Sequence, residues 1–305
     1  MGKTTACLPQ CASMQGGGDW VSDVALQPSP SKEYHVYRSQ AAVRIELSRP
    51  ENSNVLTASM VEELKNLYRR IAQDPTVFRI YLTGQGRVFC AGMNLGASGL
   101  ATSADEGKHL AQLKNFRDLL TAIERAPQVT VALINGPCYG GGNGLAFVND
   151  IRISTRDTTF NLTEVRLGLS PCAISPYLAR EWGIALFRSA MLTGRPVTAA
   201  QLHGSGALYA ITDNNMTLQN QALHDLETTL RMCASRASTV CKELVEVAWS
   251  SPGGPAQDDL IKRRYLEMMA PSREAKYGIE QFRKGVRMVN WASMEKSTRG
   301  KSSLL

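Results

Sequence analysis

Between residues 34 and 134, short apolar runs alternate with amphipathic segments of helical length, and this alternation constrains the fold more than any other feature. The apolar residues recur with strand or helix periodicity. They predict strands at 34–38, 42–47, 78–83 and 129–134, and helices at 59–72 and 109–123. Ser59 and Glu62 resemble a capping box at the start of the first helix. Because parallel strands need a helix to return the chain, this order favours an α/β fold with repeated crossover units.

After Pro176 the pattern becomes almost wholly helical. Helical segments are predicted near 176–182, 184–192, 198–203, 216–235, 238–249, 257–269 and 273–290. In the last segment, apolar residues from Ala275 to Val289 are spaced by four and three positions in turn. They therefore form one stripe that should pack against another surface. We expect a flexible leader at 1–32, a core at 33–213 and a helical C-terminal region with a basic tail at 214–305.

The composition excludes several classes of protein. A hydrophobic fraction of 43% with 20% charged residues excludes a disordered chain, a collagen-like chain and a coiled-coil rod. The apolar runs are far shorter than the roughly 18 to 20 residues that a bilayer span requires, so no membrane span is expected. The seven cysteines contain no C-x-x-C pair, which indicates reduced thiols and no zinc site. A reducing intracellular compartment follows, and the cytoplasm, a mitochondrion and a peroxisome-type organelle all remain open.

The net charge of +7 is concentrated near the C-terminus. From residue 262 onward there are eleven basic and four acidic residues, a difference that equals the whole net charge. Such a segment can contact the phosphates of a cofactor, nucleic acid or anionic lipid, or it can be a solvated helix face.

Two glycine-rich loops follow predicted strands. One spans 87–94 (RVFCAGMN), and the other spans 135–144 (NGPCYGGGNG) and opens a helix. Glycine lets the backbone approach a ligand closely, and free N–H groups at a helix start stabilise negative charge. The second loop is not a P-loop, since no Gly-Lys-Ser/Thr follows, and its spacing does not fit a dinucleotide-binding fingerprint. Either loop can hold an anion, and either can be a tight turn under a packed helix.

Both loops belong to a series of five ordered motifs that resembles the crotonase superfamily, the enoyl-CoA hydratases and isomerases. The motifs are 87–95 (RVFCAGMNL), 135–146 (NGPCYGGGNGLA), 149–154 (NDIRIS), 160–171 (FNLTEVRLGLSP) and 192–200 (LTGRPVTAA). The resemblance runs from about 42 to 213 and loosely to 290. It implies a spiral of repeated ββα units in the core, a helical C-terminal region that mediates trimerisation, and a homotrimer or hexamer. It also implies an acyl-CoA thioester substrate, with coenzyme A as part of the substrate and no separate cofactor or metal.

The resemblance assigns the oxyanion hole to the backbone N–H groups of Met93 and Gly141. Removing a proton next to a thioester creates an enolate, and each preorganised donor to its oxygen can contribute about 3 kcal/mol or more. The Met93 side chain is expected to line the acyl pocket. The remaining positions that the resemblance assigns to coenzyme A or substrate are Ala91, Gly92, Gly140, Gly144 and Cys172.

The acids distinguish the possible reactions. Hydratases of this family use two glutamates, whereas this chain has Glu164 at the second position and Gly144 at the first. One carboxylate can take a proton from C2 and return it to C4, so the pattern resembles the Δ3,Δ2-enoyl-CoA isomerases. The dienoyl isomerases carry an Asp at the position of Cys172. To act as a base near neutral pH, Glu164 should have a pKa raised by an apolar pocket.

Two alternatives stay open. The chain could be a hydratase with a second acid supplied by Glu62 or Asp105. It could also be a catalytically inactive acyl-CoA-binding or RNA-binding protein, which Gly144 and the basic tail would suit, although a nucleic-acid partner is the less favoured. Since no His lies in the motifs, Cys90, Cys138 and Cys172 are interpreted as small buried packing residues rather than nucleophiles.

Overall fold

The computed structural model describes residues 20–27, 33–94, 105–214, 216–270, 272–291 and 294. Most of the predicted leader, residues 95–104 after the first glycine-rich loop, and the end of the basic tail lie outside these residues. The described part of the leader, 20–27, pairs with the sheet and places Leu26 in the core.

Ten strands and ten α-helices follow one another along the chain. The strands are β1 (Val21–Ser22), β2 (Tyr34–Ser39), β3 (Ala42–Leu47), β4 (Arg79–Gly84), β5 (Val129–Ile134), β6 (Cys138–Tyr139), β7 (Ile151–Thr155), β8 (Thr159–Asn161), β9 (Val197–Thr198) and β10 (Ala210–Thr212). The helices are α1 (Ala58–Ala72), α2 (Glu106–Glu124), α3 (Gly141–Phe147), α4 (Ser175–Trp182), α5 (Ile184–Thr193), α6 (Ala199–Gly204), α7 (Met216–Arg231), α8 (Ser235–Ser250), α9 (Pro255–Met269) and α10 (Arg273–Arg283). These counts cover the described residues only.

The strands form two sheets. The larger has the order β1-β2-β3-β4-β5-β7-β10, in which β1, β2 and β3 are antiparallel neighbours and the strands from β3 onward are parallel. The smaller has the order β6-β8-β9. Parallel neighbours joined through helices confirm the α/β prediction and the spiral of ββα units. The carboxyl ends of β4 and β5 meet at one edge, so the two glycine-rich loops start side by side.

Helix α1 buries the predicted apolar stripe but begins differently from the prediction. Its N-cap is Thr57, whose hydroxyl accepts the Met60 N–H at 3.0 Å. The Ser59 hydroxyl instead donates to Glu33, so the predicted capping box of Ser59 and Glu62 is wrong. A capping side chain must precede the first helical residue, and Ser59 already lies inside the helix.

An aromatic cluster holds the smaller sheet against the helices behind it. Phe147 in α3 meets Phe160 in β8 and Trp182 in α4 edge to face, with ring centroids 5.4 Å apart in each pair. Such pairs contribute about 0.5–1.5 kcal/mol each beyond the area that they bury. The cluster therefore fixes α3, which opens at the glycine triplet, relative to the strand that precedes Glu164.

The helical C-terminal region is confirmed, but its last helix is shorter than predicted. Helix α10 ends at Arg283 rather than near residue 290, because Gly285 takes a φ of +77° that a helix cannot contain. Phe282 and Ile279, on the predicted stripe, are 79% and 47% exposed, so these two side chains are not covered by the described residues. None of the helices in the described ranges has the length and apolar character needed to cross a bilayer.

Replacing the capping residue should destabilise the fold more than replacing its neighbour. T57A removes the acceptor of the Met60 N–H, and we expect the free energy of unfolding to fall by about 1 kcal/mol. S59A removes only two exposed hydrogen bonds, with Glu33 and with the Thr57 hydroxyl, and should change the free energy of unfolding by less than about 0.5 kcal/mol. Urea denaturation of both variants measures the difference. An equal effect of the two changes would contradict the assignment of Thr57.

Candidate active site

The two glycine-rich loops lie in direct backbone contact. The Tyr139 N–H donates to the Cys90 carbonyl at 3.0 Å, and the Phe89 N–H donates to the Pro137 carbonyl at 3.1 Å. Gly142 is required at this contact, because a Cβ there would lie 2.2 Å from the Cys90 oxygen. Any side chain at that position would separate the loops.

Gly92 completes the contact from the first loop. Its φ of +85° favours glycine, and a Cβ there would lie 2.7 Å from the Tyr139 oxygen and 2.9 Å from the Gly141 nitrogen. The conformation of this loop thus brings residues 92 and 93 against the start of α3.

Two backbone N–H groups lie at neighbouring positions beside this contact. Leu56 and Met93 form an isolated parallel β-bridge. The Leu56 N–H donates to the Gly92 carbonyl at 2.8 Å, and the Leu56 carbonyl accepts the Asn94 N–H at 3.1 Å. In a parallel bridge the hydrogen bonds are made by the residues before and after the central one, here Gly92 and Asn94. The N–H of Met93 itself therefore points away from Leu56. Gly141 is the first residue of α3, where an N–H has no acceptor within the helix. A Cβ on Gly141 would lie 3.6 Å from the Met93 nitrogen, so the two residues lie close together at this end of α3.

Glu164 lies on the other side of the glycine triplet. It follows β8, in a 3-10 helix at Thr163–Leu167. Gly140 allows the close approach, since a Cβ there would lie 3.0 Å from Glu164 Oε1, and its φ is +46°. Glu164 Oε2 is buried and has no hydrogen-bond partner among the described residues. Burial raises the pKa of this carboxyl above its ordinary value of 4.5, while a hydrogen bond from its own backbone opposes the shift.

The Asn161 carbonyl links the glycine triplet to β8, the strand that precedes Glu164. The Asn161 oxygen accepts the Gly140 N–H at 3.0 Å and the Asn143 side-chain amide at 2.9 Å. Asn143 therefore holds the first turn of α3 at a fixed distance from β8. The sequence reasoning missed this residue. The only signal available was an Asn at the third position of a helix that opens with glycines.

A cavity of about 750 Å³ joins the N–H pair to Glu164. Its wall is mainly apolar and includes Met93, Leu113, Phe116, Leu167, Leu169 and Ile174. Of the predicted binding residues, Ala91, Gly140 and Cys172 line it, whereas Gly92 and Gly144 lie behind the lining. The apolar wall explains why the pKa of Glu164 is raised.

Ile174 fills the space beside Gly144. A Cβ on Gly144 would lie 2.2 Å from Ile174 Cγ2, and the next nearest residue is Leu120, whose Cδ1 would be 3.8 Å away. No carboxylate can occupy this position without moving Ile174.

Neither acid suggested for a hydratase lines the cavity. Glu62 pairs with Lys65 on α1, and Asp105 caps α2 by accepting the Lys108 N–H. Glu106, which the sequence reasoning missed, does line it. It precedes Leu110 by four residues and Leu113 by seven, which is helical spacing on one face of α2, and both of these residues line the cavity too, so this periodicity could have identified it.

The cysteines divide into two kinds. Cys90 and Cys138 are fully buried, and burial raises the pKa of the Cys90 thiol to about 12, so both are inert packing residues as predicted. Cys172 is exposed and faces the cavity, so the prediction of burial is wrong for this residue. It lies in a surface turn before α4, whose exposure the local sequence does not indicate.

The comparisons with known proteins agree with this geometry. The family profile described as Enoyl-CoA hydratase/isomerase matches residues 38–290. The chain belongs to this family. The enoyl-CoA hydratase AFT6-1 of Alternaria alternata is 39% identical over 284 residues, covering 93% of this chain and 92% of that protein. The enoyl-CoA hydratase AKT6-1 of the same fungus is 40% identical over 263 residues, covering 86% and 85%.

Two further similarities concern an isomerase and a solved structure. The mitochondrial Delta(3,5)-Delta(2,4)-dienoyl-CoA isomerase of Mus musculus is 29% identical over 136 residues, covering 42% of each chain. The structure of Pseudomonas aeruginosa AtuE superposes with a TM-score of 0.78 at 28% identity, covering 86% of this chain and all of that one. The crotonase fold and membership of the superfamily are therefore confirmed.

A methyl group on Gly140 should displace Glu164. We expect G140A to lower turnover of an acyl-CoA substrate by about a hundredfold, because small displacements of a reacting group cost factors of this size. G206A is a matched control, since Gly206 has a φ of +82° but nothing within 4 Å of its Cβ position. Turnover and thermal midpoint are measured for both variants. A loss of turnover in G206A as large as in G140A would show that backbone strain alone is responsible.

Proposed function

We propose that the protein is an acyl-CoA isomerase that shifts a double bond from Δ3 to Δ2. One observation carries this proposal: a single buried carboxylate, Glu164, faces the cavity beside the N–H pair, while Ile174 fills the space beside Gly144. The cavity thus offers a desolvated carboxylate beside the glycine triplet, together with two donors for a developing negative charge.

The proposed reaction uses three groups of this chain. The thioester oxygen accepts the Met93 and Gly141 N–H groups, and Glu164 removes a proton from C2 of the 3-enoyl chain. The electrons of that bond move into a dienolate, whose charge on oxygen is stabilised by both donors. The Glu164 carboxylic acid then protonates C4, and the double bond ends between C2 and C3. No proton is gained or lost overall, so one carboxylate suffices.

We propose that the substrate binds along the apolar wall of this cavity. Ala91 and Gly140 are the backbone positions for the coenzyme A thioester, and Cys172 belongs to the region that receives the substrate. Gly92 and Gly144 do not line the cavity, and their proposed part is to allow the close packing of the loop and of Ile174 next to it. The acyl chain would extend along α2, past Phe116 and Leu113, since both line the cavity. The apolar wall supports an acyl group as the ligand.

Water addition to a 2-enoyl-CoA is a second candidate. It is favoured by the names of the Alternaria relatives and by Glu106, an acid that lines the cavity on the face of α2. Glu106 would have to serve as the second acid in place of Glu62 or Asp105. Hydration adds water at C3 of a 2-enoyl-CoA and gives a 3-hydroxyacyl-CoA, whereas the proposed isomerase converts a 3-enoyl-CoA to a 2-enoyl-CoA, so substrate and product distinguish the two candidates.

Replacing the carboxylate tests the proposed base. E164Q should lower conversion of 3-enoyl-CoA to 2-enoyl-CoA by at least a hundredfold, because positioned acid–base groups contribute about 10²–10⁴. E106Q, at the same cavity, should change isomerisation by less than threefold if the enzyme is an isomerase. Product analysis in deuterated buffer measures both rates and the exchange of C2 protons. Equal rates for wild type and E164Q would remove the assignment, and a large loss in E106Q would favour hydration.

The pH profile follows from the direction of the pKa shift. Glu164 must be ionised to accept a proton, and its raised pKa means that it stays protonated to a higher pH than an ordinary carboxyl. We therefore expect kcat/KM to fall on the acid side along a limb centred above 4.5. Rates across a pH series, with unfolding monitored in parallel, locate this limb. A limb at or below 4.5 in folded protein would contradict the role of a desolvated Glu164.

A further inference from the structure

Ile174 contributes to the wall of the cavity next to the glycine triplet. It ends the 3-10 helix at Cys172–Ile174, is 2% exposed and lines the cavity. A Cβ at Gly144 would lie within 4 Å of Ile174 and Leu120, and the three nearest heavy atoms all belong to these two side chains. Both are aliphatic, so the atoms nearest to this position are apolar.

We propose that Ile174 determines the reaction specificity of the site by excluding water from the space beside Gly144. This inference rests on the isomerase function proposed above and names the residue that keeps the enzyme from adding water.

The physical reason is the hydrogen bonding that a reacting water needs. A buried water is held by two to four polar partners, and water placed against aliphatic side chains alone loses those bonds. To add to C3, it must also give up a proton to a nearby base. Ile174 and Leu120 supply neither a hydrogen bond nor a base. With no water held there, the proton taken by Glu164 returns to carbon.

The contact between Gly144 and Ile174 is reciprocal. A side chain at Gly144 requires that Ile174 lose its γ-methyl group, and the loss of that group opens a space that Gly144 cannot fill. A carboxylate introduced at residue 144 should therefore be accommodated only when residue 174 is truncated. The two positions, thirty residues apart in sequence, together determine the shape and polarity of this wall.

Variants at residue 174 test the inference by the ratio of products. I174V keeps Cγ2 and removes only the terminal δ-methyl group of Ile174. I174T also keeps Cγ2 and has nearly the same shape as Val, but a hydroxyl that can hold a water replaces the other γ-methyl group. I174A removes the γ-carbons, and G144E/I174A adds a carboxylate in their place. The assay supplies a 3-enoyl-CoA and a 2-enoyl-CoA and measures 3-hydroxyacyl-CoA formed relative to double-bond shift, with the thermal midpoint of each variant.

We expect I174V to keep the product ratio of wild type within about twofold. I174T and I174A should raise the proportion of hydration about tenfold, a size typical of discrimination by one small group in a pocket, and G144E/I174A should raise it further. If truncation to Ala unfolds the protein, the comparison of I174T with I174V still decides the question, because the two differ only by the hydroxyl.

The outcomes separate the two proposals. A wild type that shifts the double bond, with a ratio unchanged in folded I174T and I174A, overturns the role of Ile174 and leaves the isomerase function standing. A wild type that adds water as fast as it shifts the double bond, with Ile174 in place, overturns the role of Ile174 and leaves the double-bond shift standing. A wild type that shifts no double bond removes the proposed function and the inference that rests on it.

Discussion

Direct backbone contact between the two glycine-rich loops is the constraint on which the site depends. A Cβ at Gly142 would lie 2.2 Å from the Cys90 oxygen, and one at Gly92 would lie 2.7 Å from the Tyr139 oxygen. The loops can meet because they leave the carboxyl ends of β4 and β5, which are neighbouring parallel strands. Without this contact Met93 and Gly141 could not lie close together, and the proposed pair of N–H donors requires this proximity, since donors that are placed before the reaction need no reorganisation during it.

The same region places a carboxylate where its charge is poorly solvated. Glu164 Oε2 is buried without a partner among the described residues, and burial raises its pKa. This arrangement costs folding free energy, since an unpaired buried acid is unfavourable. The neighbouring packing resists relaxation: the Asn161 carbonyl fixes the start of α3, and the aromatic cluster around Phe147 fixes the strand behind it. Perturbed acids held in this way are common at catalytic sites.

Features that depend on local periodicity could be predicted from the sequence, whereas features that depend on long-range contacts could not. The strands and helices of the core follow from apolar spacing, and the glycine motifs place the site at the ends of β4 and β5. The cap at Thr57 and the end of α10 depend on single backbone conformations near helix ends. The exposure of Cys172 and the contact between Gly144 and Ile174 depend on how α4 packs over α3. The roles of Glu164 and the N–H pair stay predictions that the geometry supports.

The position beside Gly144 shows why a missing side chain is not the same as an empty space. The sequence shows glycine at residue 144, where a hydratase would have a glutamate. It does not show whether a water occupies the space that the missing carboxylate leaves. In the structure, Ile174 fills the space, so the consequence of glycine is an apolar wall rather than a solvent-filled gap. Hydratases and isomerases share a fold and an enolate-stabilising site, and the choice between them depends on whether a water can be held near C3. A relative named as a hydratase can therefore share this fold, and under the inference proposed above the side chain at residue 174 would distinguish the two products.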